Sequence, residues 1–249
     1  MIDVAFTGAQ VRPATIAVVI DVLRATSTIT LALASGYERV LVAGGIDQAL
    51  ELRADGRVLA GEVECERPPG FDLGNSPEET LTPRGRELIL ATTNGAPAII
   101  AAAVACEEVL AASLLNFDAV VATLADGPPD LLLVCAGTNG AITLEDVYLA
   151  GRISAALEGD RTDAARIAEA LAASFHKPLD ALDASAGSVG LYAAGLASDI
   201  AFCAQDSITS TVPQLARTIG DVAILEARSQ TAGVAAHHAA STGSEHEDA

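Results

Sequence analysis

The sequence predicts an α/β protein, a three-layer α/β/α arrangement around a largely parallel or mixed sheet. Three observations carry that prediction: short β-branched runs recur along the chain, Ala/Leu-rich segments with helical spacing lie between most of them, and several of those segments close on glycine. Alternation of this kind favours parallel strands with helices on both faces, and glycine is the residue most at ease just past a helix end. With 249 residues, 51% hydrophobic and 19% charged, the chain can bury a sizeable core.

Taken in order, strands are expected at 15–21 (TIAVVID), 38–44 (ERVLVAG), 57–62 (RVLAGE), 87–93 (ELILATT), 107–113 (EEVLAAS), 130–137 (DLLLVCAG) and 221–227 (DVAILEA). These runs are short, apolar and rich in Val, Ile and Leu. Helices are expected at 25–36, 46–56, 96–106, 116–127 and 144–159, where the apolar spacing changes to the helical one. From about 160 to 217 the pattern is mainly helical, and residues 1–229 read as one unit. The final stretch, 230–249, loses periodicity and gathers Ser, Gly, His and acids, so it is expected to be a disordered tail with His237 and His238 solvated.

Composition excludes several functions. The formal net charge is −19, with 33 acids against 14 bases and Lys177 as the single lysine, so the overall field repels nucleic acid. An anionic ligand therefore needs local help from an arginine, a helix N-terminus or a metal. The N-terminal residues do not read as a signal peptide, and the most apolar run is broken by Glu107 and Glu108 before reaching the roughly 20 residues of a membrane span. A cytoplasmic protein is expected. Cys65, Cys106, Cys135 and Cys203 form no CxxC pair, which favours reduced thiols over a disulfide framework or structural zinc. The Ala/Leu-rich helical surface is compatible with a homo-oligomer.

Ligands of open α/β sheets bind beyond the carboxyl ends of the strands, and four polar clusters fall there. In DVLRATST, Asp21 can offer oxygens to a hard cation, Arg24 can fork onto a phosphate or carboxylate, and Thr26, Ser27 and Thr28 can cap the next helix or bond a ligand. In GEVECERPPGFDLGNSPEE, Glu62 ends a strand as a candidate metal ligand, while Asn75 and Ser76 sit in a glycine- and proline-bounded loop; Ser76 followed by Pro77 also reads as a helix start. In LATTNGAPA, Thr93, Asn94 and Gly95 bring polar groups and backbone N–H groups to a helix N-terminus, although turn chemistry alone explains Asn-Gly. In CAGTNGAITLEDVYLAG, Glu145 and Asp146 lie in the first turn of a helix; they either serve its dipole or suit Mg²⁺ beside Asp21 and Glu62.

Other motifs are missing. The chain has neither GxxxxGK[ST] nor GxGxxG, which argues against a P-loop NTPase or a dinucleotide site. Leu23 stands where an aspartyl-phosphate phosphatase of the haloacid dehalogenase type would need a second acid. Cys135 at a strand end leaves open a thiol hydrolase, for which His176 would be the partner, and a non-catalytic binder of an anionic metabolite would use the same pocket.

Taken together, DVLRATST, GE followed by GFDLGNSPEE, TTNGAPA, SLLN, CAG followed by LEDVYLAG, and LYAAGLASDIAFCAQDS with VP resemble, in this order, the 2-phosphosulfolactate phosphatase or ComB-like family over about 18–213. One small departure is Ala96, where a threonine is expected. The resemblance implies a ComB-like α/β/α fold and Mg²⁺-dependent hydrolysis of the phosphate ester of 2-phospho-3-sulfolactate, a step of coenzyme M synthesis in methanogens. On that basis Asp21, Glu62, Glu145 and Asp146 are expected to hold Mg²⁺. Asp21, Arg24 and Asn94 are expected to carry catalysis, with Arg24, Thr26, Ser27, Thr93, Asn94 and Gly95 around the phosphate and Asn75 and Ser76 on the substrate carboxylate or sulfonate.

Overall fold

A computed structural model describes residues 1–127 and 129–229. The expected tail at 230–249, with His237 and His238, lies outside the described residues.

The expected strands form at β2 (Ile16–Ile20), β3 (Arg39–Val42), β4 (Arg57–Gly61), β5 (Glu87–Ala91), β6 (Glu108–Ala112), β7 (Leu131–Cys135) and β9 (Val222–Ala227). Two further strands were not expected: β1 (Ile2–Ala5) and β8 (Pro213–Ile219). β8 lies at the end of the span that reads as helical. All nine form one mixed sheet in the order β1-β7-β2-β6-β8-β9-β3-β5-β4. Pairing is parallel within β1-β7-β2-β6 and within β3-β5-β4, and antiparallel wherever β8 and β9 join the two parallel halves.

Helices α1 (Ala25–Ser35), α3 (Gly95–Ala105) and α5 (Leu144–Ala156) match their expected segments closely, whereas α2 (Ile46–Glu51) and α4 (Phe117–Thr123) are shorter. Four more follow: α6 (Asp163–Ala173), α7 (Pro178–Asp183), α8 (Ala186–Ala193) and α9 (Ala197–Cys203).

Alternate side chains explain the layers. In β2, Ala17 and Val19 face a core shared with Ile29 of α1 and Ile99 of α3. Val18 and Ile20 face the opposite core, with Val120 of α4, Ile153 of α5, Leu182 of α7 and Ile200 of α9. Both faces of this strand are buried, so it reads as an unbroken apolar run rather than an alternating one. In the other half of the sheet, Val40 and Leu88 join the α1/α3 core, while Leu41, Leu59 and Ile89 pack against Ala49 of α2.

Pairing directions alone would set the ends of β4 and β5 opposite the end of β2, because three antiparallel steps intervene. Yet the segments after β2 and β5 meet, since a Cβ on Gly95 would lie 2.4 Å from Asp21 Oδ2. One crevice therefore receives the carboxyl ends of β2, β4, β5 and β7.

Candidate active site

The turn after β2 is built on its own hydroxyls. Thr26 Oγ1 accepts from the Asp21 N–H at 3.0 Å and donates to the Asp21 carbonyl at 2.8 Å, and Ser27 Oγ donates to the Val22 carbonyl at 2.8 Å. Both side chains are fully buried. The expectation that Thr26 and Ser27 hold phosphate is corrected: their hydroxyls are consumed in shaping the turn, and neither caps α1. Thr28 Oγ1 donates to the Asn75 carbonyl at 2.9 Å, tying this turn to the loop after β4.

Two carboxylates follow from that turn. Asp21 Oδ1 accepts from the Ala25 N–H at 3.1 Å. Asp146 Oδ1 accepts from the Val22 N–H at 2.9 Å, and its Oδ2 from the Gly137 N–H and the Thr143 hydroxyl, both at 3.1 Å. Asp146 is thus a clip between the ends of β2 and β7. Glu145 beside it is equally buried, and its Oε2 has no hydrogen-bond partner among the described residues. Glu62 is half-buried, with Oε1 accepting from the Thr93 N–H at 2.9 Å and Oε2 from the Cys65 N–H at 3.0 Å.

Charge crowding shows in the acidities. Burial, then the Asp146 charge, pushes Asp21 up to about 8. Burial, with Asp21 nearby, pushes Glu145 up to about 7, and burial followed by Glu145 pushes Asp146 up to about 7. Desolvation and mutual repulsion both disfavour the charged forms.

The four acids expected to ligate metal are therefore neighbours but not a finished cage: among the described residues, no group of three or more His, Cys, Asp or Glu side chains is arranged to hold a metal ion. Asp146 and Glu62 spend both oxygens on N–H or O–H donors, which pulls them apart. Among the described residues, Asp21 Oδ2 and Glu145 Oε2 are left without such a donor, and Mg²⁺ is content with one or two carboxylates and several waters. The donor set fits a cation of that kind.

Two glycines keep these carboxylates in place. A Cβ on Gly95 would meet Asp21 Oδ2 and Ala25 Cβ, each at 2.4 Å, and one on Gly187 in α8 would meet Glu145 Oε1 at 2.3 Å. Gly95 is buried, and its lack of a side chain permits the close approach to Asp21. Ala96 is also fully buried, so the departure there lies in the core.

Arg24 is buried, and its Nη1 lies 2.5 Å from Asp199 Oδ2, with 3% and 2% of the two side chains exposed. Ser76 Oγ donates to Asp199 Oδ1 at 2.7 Å. Ser76 does occupy the start of a 3₁₀ turn with Pro77 at its first position, but its hydroxyl serves Asp199 and does not cap the turn. Arg24, Arg67, Asn75, Ser76 and Asp199 line a cavity of about 680 Å³. Asn75 Oδ1 is buried and unpartnered among the described residues.

A second cavity, about 470 Å³, is lined by Glu62, Thr93, Asn94 and Asn139, and Cys65 borders both. Asn94 Oδ1 accepts from the Asn139 N–H at 2.9 Å. Asn139 and Gly140 have φ of 51° and 77° between the bridged pair Thr138 and Ala141, a tight turn that needs left-handed backbone at both central positions. The second Asn-Gly thus positions the first.

Comparison with known proteins places the chain in a family. Residues 6–218 match the family model described as 2-phosphosulpholactate phosphatase. The chain belongs to that family. A Thermotoga petrophila relative is 41% identical over 219 residues, covering 86% of this chain and 95% of the relative. One from Thermus thermophilus is 37% identical over 218 residues, 85% and 92% of the two chains; one from Deinococcus radiodurans is 38% identical over 209, 80% and 87%. Each is named a probable 2-phosphosulfolactate phosphatase. Membership makes this chain a phosphoric monoester hydrolase.

The thiol alternative is corrected. Cys135 is fully buried, and burial, followed by the charges of Asp146 and Glu145, raises its thiol well above the usual range. It cannot supply the exposed thiolate such an enzyme needs. His176 lines a different cavity, with Tyr148, Arg152 and Phe175. Asp199 is not singled out from sequence. Asp199 lies inside the quoted LYAAGLASDIAFCAQDS motif, but nothing local ties it to an arginine 175 positions earlier.

Proposed function

We propose that the chain hydrolyses the phosphate ester of 2-phospho-3-sulfolactate, or of a closely related small 2-phospho acid, in a Mg²⁺-dependent reaction. The observation that carries this reading is the pairing of two cavities across Cys65, one walled by the buried arginine Arg24, the other lying against Glu62 and the loops that frame the buried acids.

Phosphoryl transfer to water needs positioning and charge neutralisation more than covalent chemistry. Arg24 faces the larger cavity, and among the described residues its guanidinium is bonded only to Asp199, leaving N–H groups for phosphoryl oxygens. Thr93 and Asn94 border the second cavity and supply further polar contacts. Asn75 and Ser76 line the cavity beside Arg24 and bound the place of the substrate carboxylate or sulfonate, toward which the Asn75 amide N–H groups can donate; its unpartnered Oδ1 is an acceptor and suits a water rather than an anion. Asp21 and Glu145 would hold the cation, with Glu62 and Asp146 around it. When bound, Mg²⁺ supplies Lewis acidity toward phosphoryl oxygens and water. Water attacks phosphorus as the ester P–O bond breaks, and the alkoxide takes a proton to become the hydroxy acid.

Among the described residues no helix is long and apolar enough to cross a membrane. The four free cysteines fit a reducing, cytoplasmic setting. Where the chain's organism makes coenzyme M, the reaction belongs to that synthesis.

Phosphate release from phosphosulfolactate, phospholactate and phosphoglycerates, with Mg²⁺ and with EDTA, tests the reading. Mg²⁺-dependent turnover favouring phosphosulfolactate is expected. Activity insensitive to EDTA would remove the metal, and no release from any ester would leave only an anion-binding protein.

A further inference from the structure

Asp199 has no expected role in the reaction, yet it makes the most enclosed ion pair of the crevice. Its two oxygens are divided between Arg24 Nη1 at 2.5 Å and Ser76 Oγ at 2.7 Å. It is presented by α9 and therefore joins three separate segments, the turn after β2, the loop after β4 and the helical region. A guanidinium on a long side chain would otherwise sample many rotamers. Asp199 holds Nη1 of Arg24, and Arg24, Ser76 and Asp199 line one cavity, where the described residues give the guanidinium no other partner.

We propose that Asp199 is the positioning residue for Arg24: it sets the guanidinium's direction while lowering, through its own negative charge, the arginine's general attraction for anions. The inference rests on Arg24 contacting the phosphoryl group. It also makes a prediction that mere structural support does not. Removing the charge with little change of shape should leave ground-state binding intact or tighter, because a neutralising acid is gone, yet slow the chemistry, because the arginine is no longer held in line. Misplacement of about 1 Å can cost about a hundredfold in rate.

The experiment compares wild type, Asp199→Asn, Arg24→Ala and the double variant for kcat, KM and inhibition by inorganic phosphate, with melting temperature as the folding control. Asp199→Asn should lower kcat about tenfold to a hundredfold with KM and phosphate inhibition unchanged or tighter. In the Arg24→Ala background it should lower kcat no further. Asp199→Glu, which keeps the charge one methylene further out, should recover part of kcat and serves if the asparagine variant does not fold. A wild-type kcat in Asp199→Asn, or losses that multiply in the double variant, would overturn the positioning role. If Arg24→Ala itself retains full kcat/KM, the reading of Arg24 fails instead, and if wild type releases no phosphate the proposed function fails and the role of Asp199 with it.

Discussion

At the scale of single residues, two glycines of one helix offer a controlled comparison. A Cβ at Gly187 would come within 2.3 Å of Glu145 Oε1, whereas one at Gly190 would lie 3.4 Å from Cys65 Sγ, an ordinary contact. Both sit in α8, where alanine is favoured over glycine by about 1 kcal/mol. Gly190→Ala should therefore keep full kcat/KM and melt slightly higher. Gly187→Ala should displace the Glu145 carboxylate, raising the Mg²⁺ concentration for half-activity and lowering kcat/KM at least about tenfold, the scale seen when groups supporting a metal site are disturbed. Equal behaviour of the two variants in a metal titration would show that Glu145 is no ligand. Arg24→Ala should cost about 2.7–4 kcal/mol of transition-state stabilisation, the range for one preorganised donor, read as kcat/KM in folded protein.

At the scale of elements, Asp146 belongs to two turns at once. It accepts the Val22 N–H after β2 and the Gly137 N–H and Thr143 hydroxyl after β7. Asp146→Asn keeps one acceptor but turns an amide NH₂ toward donors, leaving a buried group unsatisfied at about 1–3 kcal/mol. Denaturant unfolding should register that loss, and an unchanged Mg²⁺ titration in the same variant would restrict Asp146 to the clip. The sequence carried much of this arrangement. Seven strands were legible because each is a buried Val/Ile/Leu run, and Asp21, Glu62, Glu145 and Asp146 were legible because each follows or begins an element at the ligand-binding edge. The pair Arg24–Asp199 was not, since its partners are 175 positions apart. Nor was the inward turn of Thr26 and Ser27: a hydroxyl-rich segment before a helix reads alike whether it serves a ligand or its own backbone. β8 was hidden because its burial declines along the strand, so little apolar alternation marks it.

At the scale of the whole molecule, the buried acids should govern stability against pH, and with a sign opposite to the usual carboxylate. Asp21, ordinarily at 3.8, rises to about 8; Glu145, ordinarily at 4.5, and Asp146, ordinarily at 3.8, rise to about 7. Between those ordinary and raised values the folded chain binds more protons than the unfolded one, so stability falls as pH rises through that window. Asp3 works the other way. Burial raises it, but the Thr162 hydroxyl and Arg12 outweigh that and hold it below 3.8, so its contribution is lost only as pH falls through the lowered value. The metal-free protein should therefore be most stable in mildly acidic solution. A cation held by Asp21 and Glu145 competes with the same protons. In EDTA the melting temperature should fall from pH 5.5 to 8.5, and Mg²⁺ should restore more of it at 8.5 than at 5.5. General repulsion within a chain of net charge −19 gives the first trend as well, so Asp21→Asn separates the causes: it should flatten the EDTA curve and shrink the Mg²⁺ increment. A variant that keeps both slopes would assign the pH response to surface charge and leave the crevice acids without a cation.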